Sequence, residues 1–166
     1  MTVDRFAVDA LLAQQHLAVV GASDHPGNFG RTIVHELAAR GYDVTAVHPT
    51  ATSVDGRPCY RDLAEVPDPV DGVIVMVPAP HAAEVVREAA ALGIRHVWLF
   101  KGVGHGSLDR EAVIIARGAG MTVVEGACPM MYLSDAGWVH RLHRRLRHLP
   151  DPHTPVPVHA RSMPVL

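Results

Sequence analysis

The sequence predicts a three-layer α/β domain, in which a parallel five-stranded sheet of order 3-2-1-4-5 carries helices on both faces. Three observations carry that prediction. Short strand-like apolar runs alternate with longer helical ones along the chain, the rhythm of parallel strands joined by helical crossovers. The run VDGVIVMVP is almost unbroken in β-branched residues, as a strand buried on both faces requires. Crossovers in such sheets are right-handed, which places the topological switch between the first and fourth strands.

The opening stretch VDRFAVDALLAQQ puts Phe6, Val8, Leu11 and Leu12 at helical spacing. HLAVVGAS is a short buried strand, and GRTIVHELAARG is a helix that ends at Gly41, a residue suited to closing a helix. YDVTAVHP is the second strand, stopped by Pro49, and VDGVIVMVP is the third. The link between them, residues 50–69, reads as irregular, with one short helical piece around Asp62 to Glu65. HAAEVVREAAALG, IRHVWLF, SLDREAVIIARGAG and MTVVEG continue as helix, strand, helix and fifth strand. DAGWVHRLHRRLRHL makes a last helix. Its stripe of Trp138, Val139, Leu142, Leu146 and Leu149 suits docking onto the sheet or a second subunit. One domain over residues 1–149 is expected, followed by a proline-rich, disordered or draped tail at 150–166.

The 166 residues suffice for a real core, and a net charge of -2 gives no general reason to expect nucleic acid or membrane as a partner. The basic face of the last helix, Arg141, Arg144, Arg145 and His148, is read as solvated. Apolar runs are strand-sized and broken by Gly or Pro, too short to span a bilayer. The N-terminus lacks a secretory apolar region, so a soluble cytoplasmic protein is expected. Cys59 and Cys128 form no CxxC pair. His48, His81, His105 and Cys128 all follow strands, but none has the spacing of a metal pair, and His140 and His143 sit among arginines. No metal is expected.

The chemistry concentrates in the first turn, GASDHPGNFGR. A dinucleotide fingerprint needs glycine at positions one, three and six; Gly21 fills the first, but Ser23 and Pro26 stand at the others. The Gly-Lys-Ser/Thr of a Walker loop is absent, and GASDH supplies only half of a hydrolase elbow. What remains is a long turn from Gly21 to Gly30 leading into a helix whose first amides and positive dipole end can hold a phosphate. Ser23 offers a hydroxyl and Arg31 a charge. NAD sites place a carboxylate after the second strand to hold the ribose; here AVHPT has none. That favours a ligand whose sugar is phosphorylated, either coenzyme A or NADP.

The ordered set VVGAS…GRTIVHELAARGYDVTAVHP, VDGRPCYRDLAEVPDPVDGVIVMVPAPHAAEVVREAAALGIRHVWLFKGVG and GMTVVEGACPMMYL resembles the CoA-binding protein family. These are small Rossmann-like relatives of the nucleotide-binding domain of succinyl-CoA synthetase alpha. The resemblance covers residues 14 to 133. It implies that CoA lies across the strand C-termini. Gly21, Ala22, Ser23, Gly30 and Arg31 would then serve the phosphates, and His48 and Pro49 the adenosine side. Val77, Pro78 and Pro80 would follow from the third strand, and Lys101 and Gly102 from the fourth. The chain departs from the family in having Phe100 and Lys101 where many members carry an amide, and His48 where Asn or Ser is common.

Among the remaining candidates, Ser107 is placed to cap the following helix, and the glycines before it suit a phosphate-wrapping loop or a plain linker. Cys128 follows the last strand and reads as a small buried residue rather than a nucleophile. The synthetase's catalytic histidine lies beyond the nucleotide domain, a region this chain is expected to lack. The leading expectation is a non-catalytic module that binds coenzyme A or an acyl-CoA, with a homodimer or partner protein as a further option. The alternatives are an NADP-dependent or Cys128-based enzyme, and a protein-interaction domain without nucleotide.

Overall fold

Strand β1 (His16–Val20) is buried along its whole length and lies in the middle of the sheet in the computed structural model, which describes residues 3–101 and 106–133. Before it, α1 (Arg5–Leu12) is capped by Asp4, whose carboxylate accepts from the Phe6 amide at 2.9 Å. Its buried face is Ala7, Val8, Leu11 and Leu12, whereas Phe6, expected in the apolar stripe, is 76% exposed. One residue is a 100° step around a helix, enough to turn Phe6 off a face centred on Val8 and Leu11. After β1 come α2 (Phe29–Ala39) and β2 (Asp43–Val47), which pairs parallel to β1 from His16 opposite Asp43 to Val20 opposite Val47.

The link read as irregular contains two further strands. β3 (Ser53–Val54) and β4 (Arg57–Tyr60) form a hairpin around Asp55-Gly56, where φ is +51° and +70°. Positive φ at both central residues is what a two-residue hairpin turn demands, and Asp-Gly supplies it at low cost. β4 pairs parallel with β2 through Ala46 opposite Cys59 and Val47 opposite Tyr60. A 3-10 turn, Leu63–Glu65, follows. Then come β5 (Gly72–Val75), α3 (Ala79–Ala91), β6 (His96–Leu99), α4 (Arg110–Gly118) and β7 (Thr122–Glu125).

The sheet has seven strands in the order β3-β4-β2-β1-β5-β6-β7. This corrects the expected five strands in the order 3-2-1-4-5. The third expected strand, GVIV, is β5 and lies beside β1, while the place outside β2 belongs to β4. Burial explains the exchange: all four β5 residues are buried, whereas β4 is exposed or half-buried and carries Pro58, which suits an outer strand. The returning link is also pinned beneath β1. Asp71 Oδ2 accepts from the amides of Gln15 at 3.3 Å and His16 at 3.0 Å. The buried His16 ring bridges the Pro69 carbonyl and Thr45 Oγ1, each at 2.8 Å.

Two apolar layers flank the sheet, with side chains of period two alternating between them. Leu17 and Val19 join Val8, Leu11, Ile33, Leu37 and Trp98 beneath α1 and α2. Ala18 and Val20 join Val73, Val75, Val86, Val97 and Ala112 beneath α3 and α4. The architecture is a Rossmann-like α/β sandwich whose parallel strands end at one rim. Gly102, the expected last helix and the tail at 150–166 lie outside the described residues.

Candidate functional site

The rim is shaped first by two glycines. Gly21 closes β1 with φ +98°, and a Cβ there would lie 2.9 Å from the Met76 carbonyl carbon and 3.0 Å from the Val77 amide nitrogen. Gly30 is the second residue of α2, and a Cβ there would lie 2.7 Å from Ala22 Cα. Their bare backbones let the first turn press against β5 and let α2 begin directly over that turn. Helix α2 starts at Phe29, so Gly30 belongs to the helix and not to the turn before it.

Asn28 fastens this arrangement from both ends. Its Oδ1 accepts from the Arg31 amide at 3.3 Å, and its Nδ2 donates to the Gly21 carbonyl at 3.0 Å. The amides of Phe29 and Gly30 belong to the first helical turn, which has no intrahelical acceptors for them. They are the donors that could meet an anion. Asn28→Ala should therefore cost about 1–2 kcal/mol, the usual worth of an N-cap, measurable by urea denaturation, and should loosen the turn at Gly21.

Beside this helix start lies a cleft of about 770 Å³, walled by Ser23 to Asn28 on one side and by His48, Thr50, Ala51 and Ser53 on the other. His48 Nδ1 accepts from the amides of Thr50 at 3.3 Å and Ala51 at 3.2 Å. These bonds hold the ring against the start of the loop that follows β2. The His48 amide donates to the Tyr60 carbonyl at 2.9 Å, tying this wall to β4. Burial pushes the nearby Cys59 thiol up, a bond from the His48 amide opposes this, and the Asp24 carboxylate adds to the rise. Cys59 is thus held as a protonated packing residue.

Arg31 lines a neighbouring depression of about 490 Å³ with Asp24, Asn28 and Phe29. Its Nε lies 3.2 Å from Asp24 Oδ1 and 3.7 Å from Asp55 Oδ1. The expected phosphate ligand is therefore paired with carboxylates.

The fold gathers Gly21, Ala22, Ser23, Gly30, Arg31 and His48 around one end of the rim, with exposed Pro49 beside them. Val77, Pro78 and Pro80 sit after β5, at the start of α3, and do not line this cleft. Val77 instead offers its carbonyl to the buried Ser107 hydroxyl. Ser107 is not the expected helix cap, since Asp109 caps α4 by accepting from the Ala112 amide at 3.0 Å. Exposed Lys101 runs along Gly126, beyond β7, with its Cβ and Cδ each 3.8 Å from where a Gly126 Cβ would stand. Phe100 packs on Phe29 with ring centroids 5.7 Å apart, closing the rim between α2 and β6.

Sequence reasoning passed over Asp24, His25, Gly27, Asn28, Thr50, Ala51 and Ser53. Asn28 ahead of an apolar helical run was the available signal for one of them. Cys59 lies on β4, Cys128 follows β7, and both are free thiols. Among the described residues, no three His, Cys, Asp or Glu side chains are grouped to hold a metal ion, and no helix is long and apolar enough to cross a membrane.

The chain is 31% identical over 127 residues to an ADP-forming acetate–CoA ligase I from Archaeoglobus fulgidus, covering 73% of this chain and 18% of the ligase. It is 30% identical over 112 residues to the alpha subunit of the corresponding ligase from Pyrococcus furiosus, covering 63% of this chain and 24% of the subunit. It thus spans less than a quarter of either relative's length. A solved structure of a hypothetical protein from Pyrococcus horikoshii superposes with a TM-score of 0.70 at 30% identity, over 89% of this chain and 93% of that one. The model of the CoA binding domain matches residues 15–134, well over half of the sequence, and the chain belongs to that family.

Proposed function

We propose that this chain binds coenzyme A or an acyl-CoA at the C-terminal rim of its sheet, as a module without chemistry of its own. The observation that carries this reading is the cleft at the start of α2, which Gly21 and Gly30 shape by letting the first turn and the helix pack closely, and where the loop after β2 offers His48 in place of a carboxylate. A phosphate of the ligand would meet the first-turn amides and the Ser23 hydroxyl, with the adenosine between that turn and the loop after β2. Val77, Pro78, Pro80 and Lys101 would meet the extended part of the ligand farther along the rim. The ligases it is similar to join CoA to acetate, and one of them is named as a subunit. On this reading, any acyl chemistry belongs to a partner that receives the bound cofactor.

The test is a thermal-shift series on ligand-free protein with CoA, acetyl-CoA, NAD, NADP and ATP. CoA at a hundred times its dissociation constant should stabilise by about 2.7 kcal/mol, a rise of roughly 5–11 °C for a domain of this size. A shift with NADP and none with CoA would overturn the proposal in favour of a reductase.

A further inference from the structure

The charges around Arg31 are arranged in an unusual way for a phosphate site. Asp24 Oδ1 receives Arg31 Nε at 3.2 Å and the Asp55 amide at 3.0 Å. Asp55 Oδ1 stands 3.7 Å from the same Nε, and its Oδ2 is 3.0 Å from His35 Nδ1. Although Asp55 sits at a hairpin tip, its side chain is only 20% exposed, so the β3–β4 turn is folded down onto α2. Two carboxylates, of Asp24 and Asp55, thus converge on one guanidinium nitrogen. Asp24 borders both the cleft and the depression beside it, so an entering phosphate meets a carboxylate that already holds the arginine.

We propose that Asp24 determines how strongly the cleft takes a phosphate-bearing ligand, by holding Arg31 until the phosphate replaces it as the arginine's partner. The inference rests on the CoA-binding reading and specifies how that site regulates its own affinity. The exchange is feasible because the pair is half exposed, at 55% for Arg31 and 44% for Asp24, and exposed pairs are weak. Asp55, the more buried carboxylate, keeps the guanidinium at the rim while its other partner changes. Neutralising Asp24 removes the competitor for Arg31, and an asparagine Oδ1 can still accept from the Asp55 amide and keep the hairpin in place.

The experiment is calorimetric titration of CoA into wild type, Asp24→Asn, Arg31→Ala and the double variant, at low ionic strength where such pairs are least screened. Asp24→Asn should bind CoA about two- to fivefold more tightly, the range expected when one exposed ion pair no longer competes. The gain should vanish when Arg31→Ala is also present. An unchanged or weaker affinity in Asp24→Asn, or a gain that persists without Arg31, would overturn the inference and leave the CoA reading standing. Failure of wild type to bind CoA would remove both. Melting temperatures of the ligand-free variants verify folding, and Asp24→Ser replaces Asp24→Asn should the latter not fold.

Discussion

Gly21→Ala is expected to destabilise the protein by about 3 kcal/mol and to abolish tight CoA binding together with it. Two costs combine at this position. An alanine held at φ +98° is strained by about 1–2 kcal/mol. Its Cβ would also press at 2.9–3.1 Å on the backbone of Met76 and Val77, atoms that cannot rotate away as a side chain would. To relieve the contact, the first turn must move off β5, taking Ser23 and the start of α2 with it. For a domain of this size the loss corresponds to roughly 6–12 °C in melting temperature. Gly27 is the natural control: it too has positive φ, at +84°, but no atom lies within 4 Å of an added Cβ. Gly27→Ala should pay only the conformational part, about 1–2 kcal/mol. Chemical denaturation of the two variants separates crowding from backbone strain, and equal losses would count against the crowding at Met76.

Trp98→Ala should be costlier to the fold and nearly silent at the cleft. Trp98 is fully buried on β6, donates from Nε1 to the Ala127 carbonyl at 2.8 Å, and meets Tyr132 edge-on with centroids 5.8 Å apart. Truncation of such a residue costs about 3–5 kcal/mol, and here it also leaves a carbonyl without its donor. Trp98→Phe keeps most of the volume and should lose about half as much. Because Trp98 is fully buried in the core layer beneath α1 and α2 and not at the rim, Trp98→Phe should bind CoA within about twofold of wild type, a difference worth less than about 0.5 kcal/mol. A large loss of affinity in Trp98→Phe would mean that the packing around Trp98 positions the rim residues that follow β6.

The contrast between these two positions parallels what the sequence made legible. Local periodicity was sufficient for the central strands and α2 to α4, because their apolar faces repeat with the period of the element that buries them. It was insufficient for the hairpin. β3 and β4 have only six residues between them, too few to establish a period, and Asp55-Gly56 was the overlooked turn signal. Missing β4 then displaced the third strand in the expected order, since a strand order depends on every strand being counted. At the rim, the places of Gly21 and His48 directly after β1 and β2 were legible. The pairing of Arg31 was not, because Asp24 and Asp55 are 31 residues apart and meet only once the hairpin folds back. Family resemblance could not supply it either, as it places residues along the chain without saying which charges neutralise one another.

The placement of α1 bears on how the chain comes to be folded at all. This helix packs against β6 and β7, strands about a hundred residues farther along the sequence. Its Val8 and Leu11 share a core layer with Leu17 and Ile33 nearby in sequence and with Trp98 and Val124 far from them. Segments distant in the sequence must therefore meet before this layer of the core is closed, and such non-local contacts are slow to form because the loop between them has to be closed first.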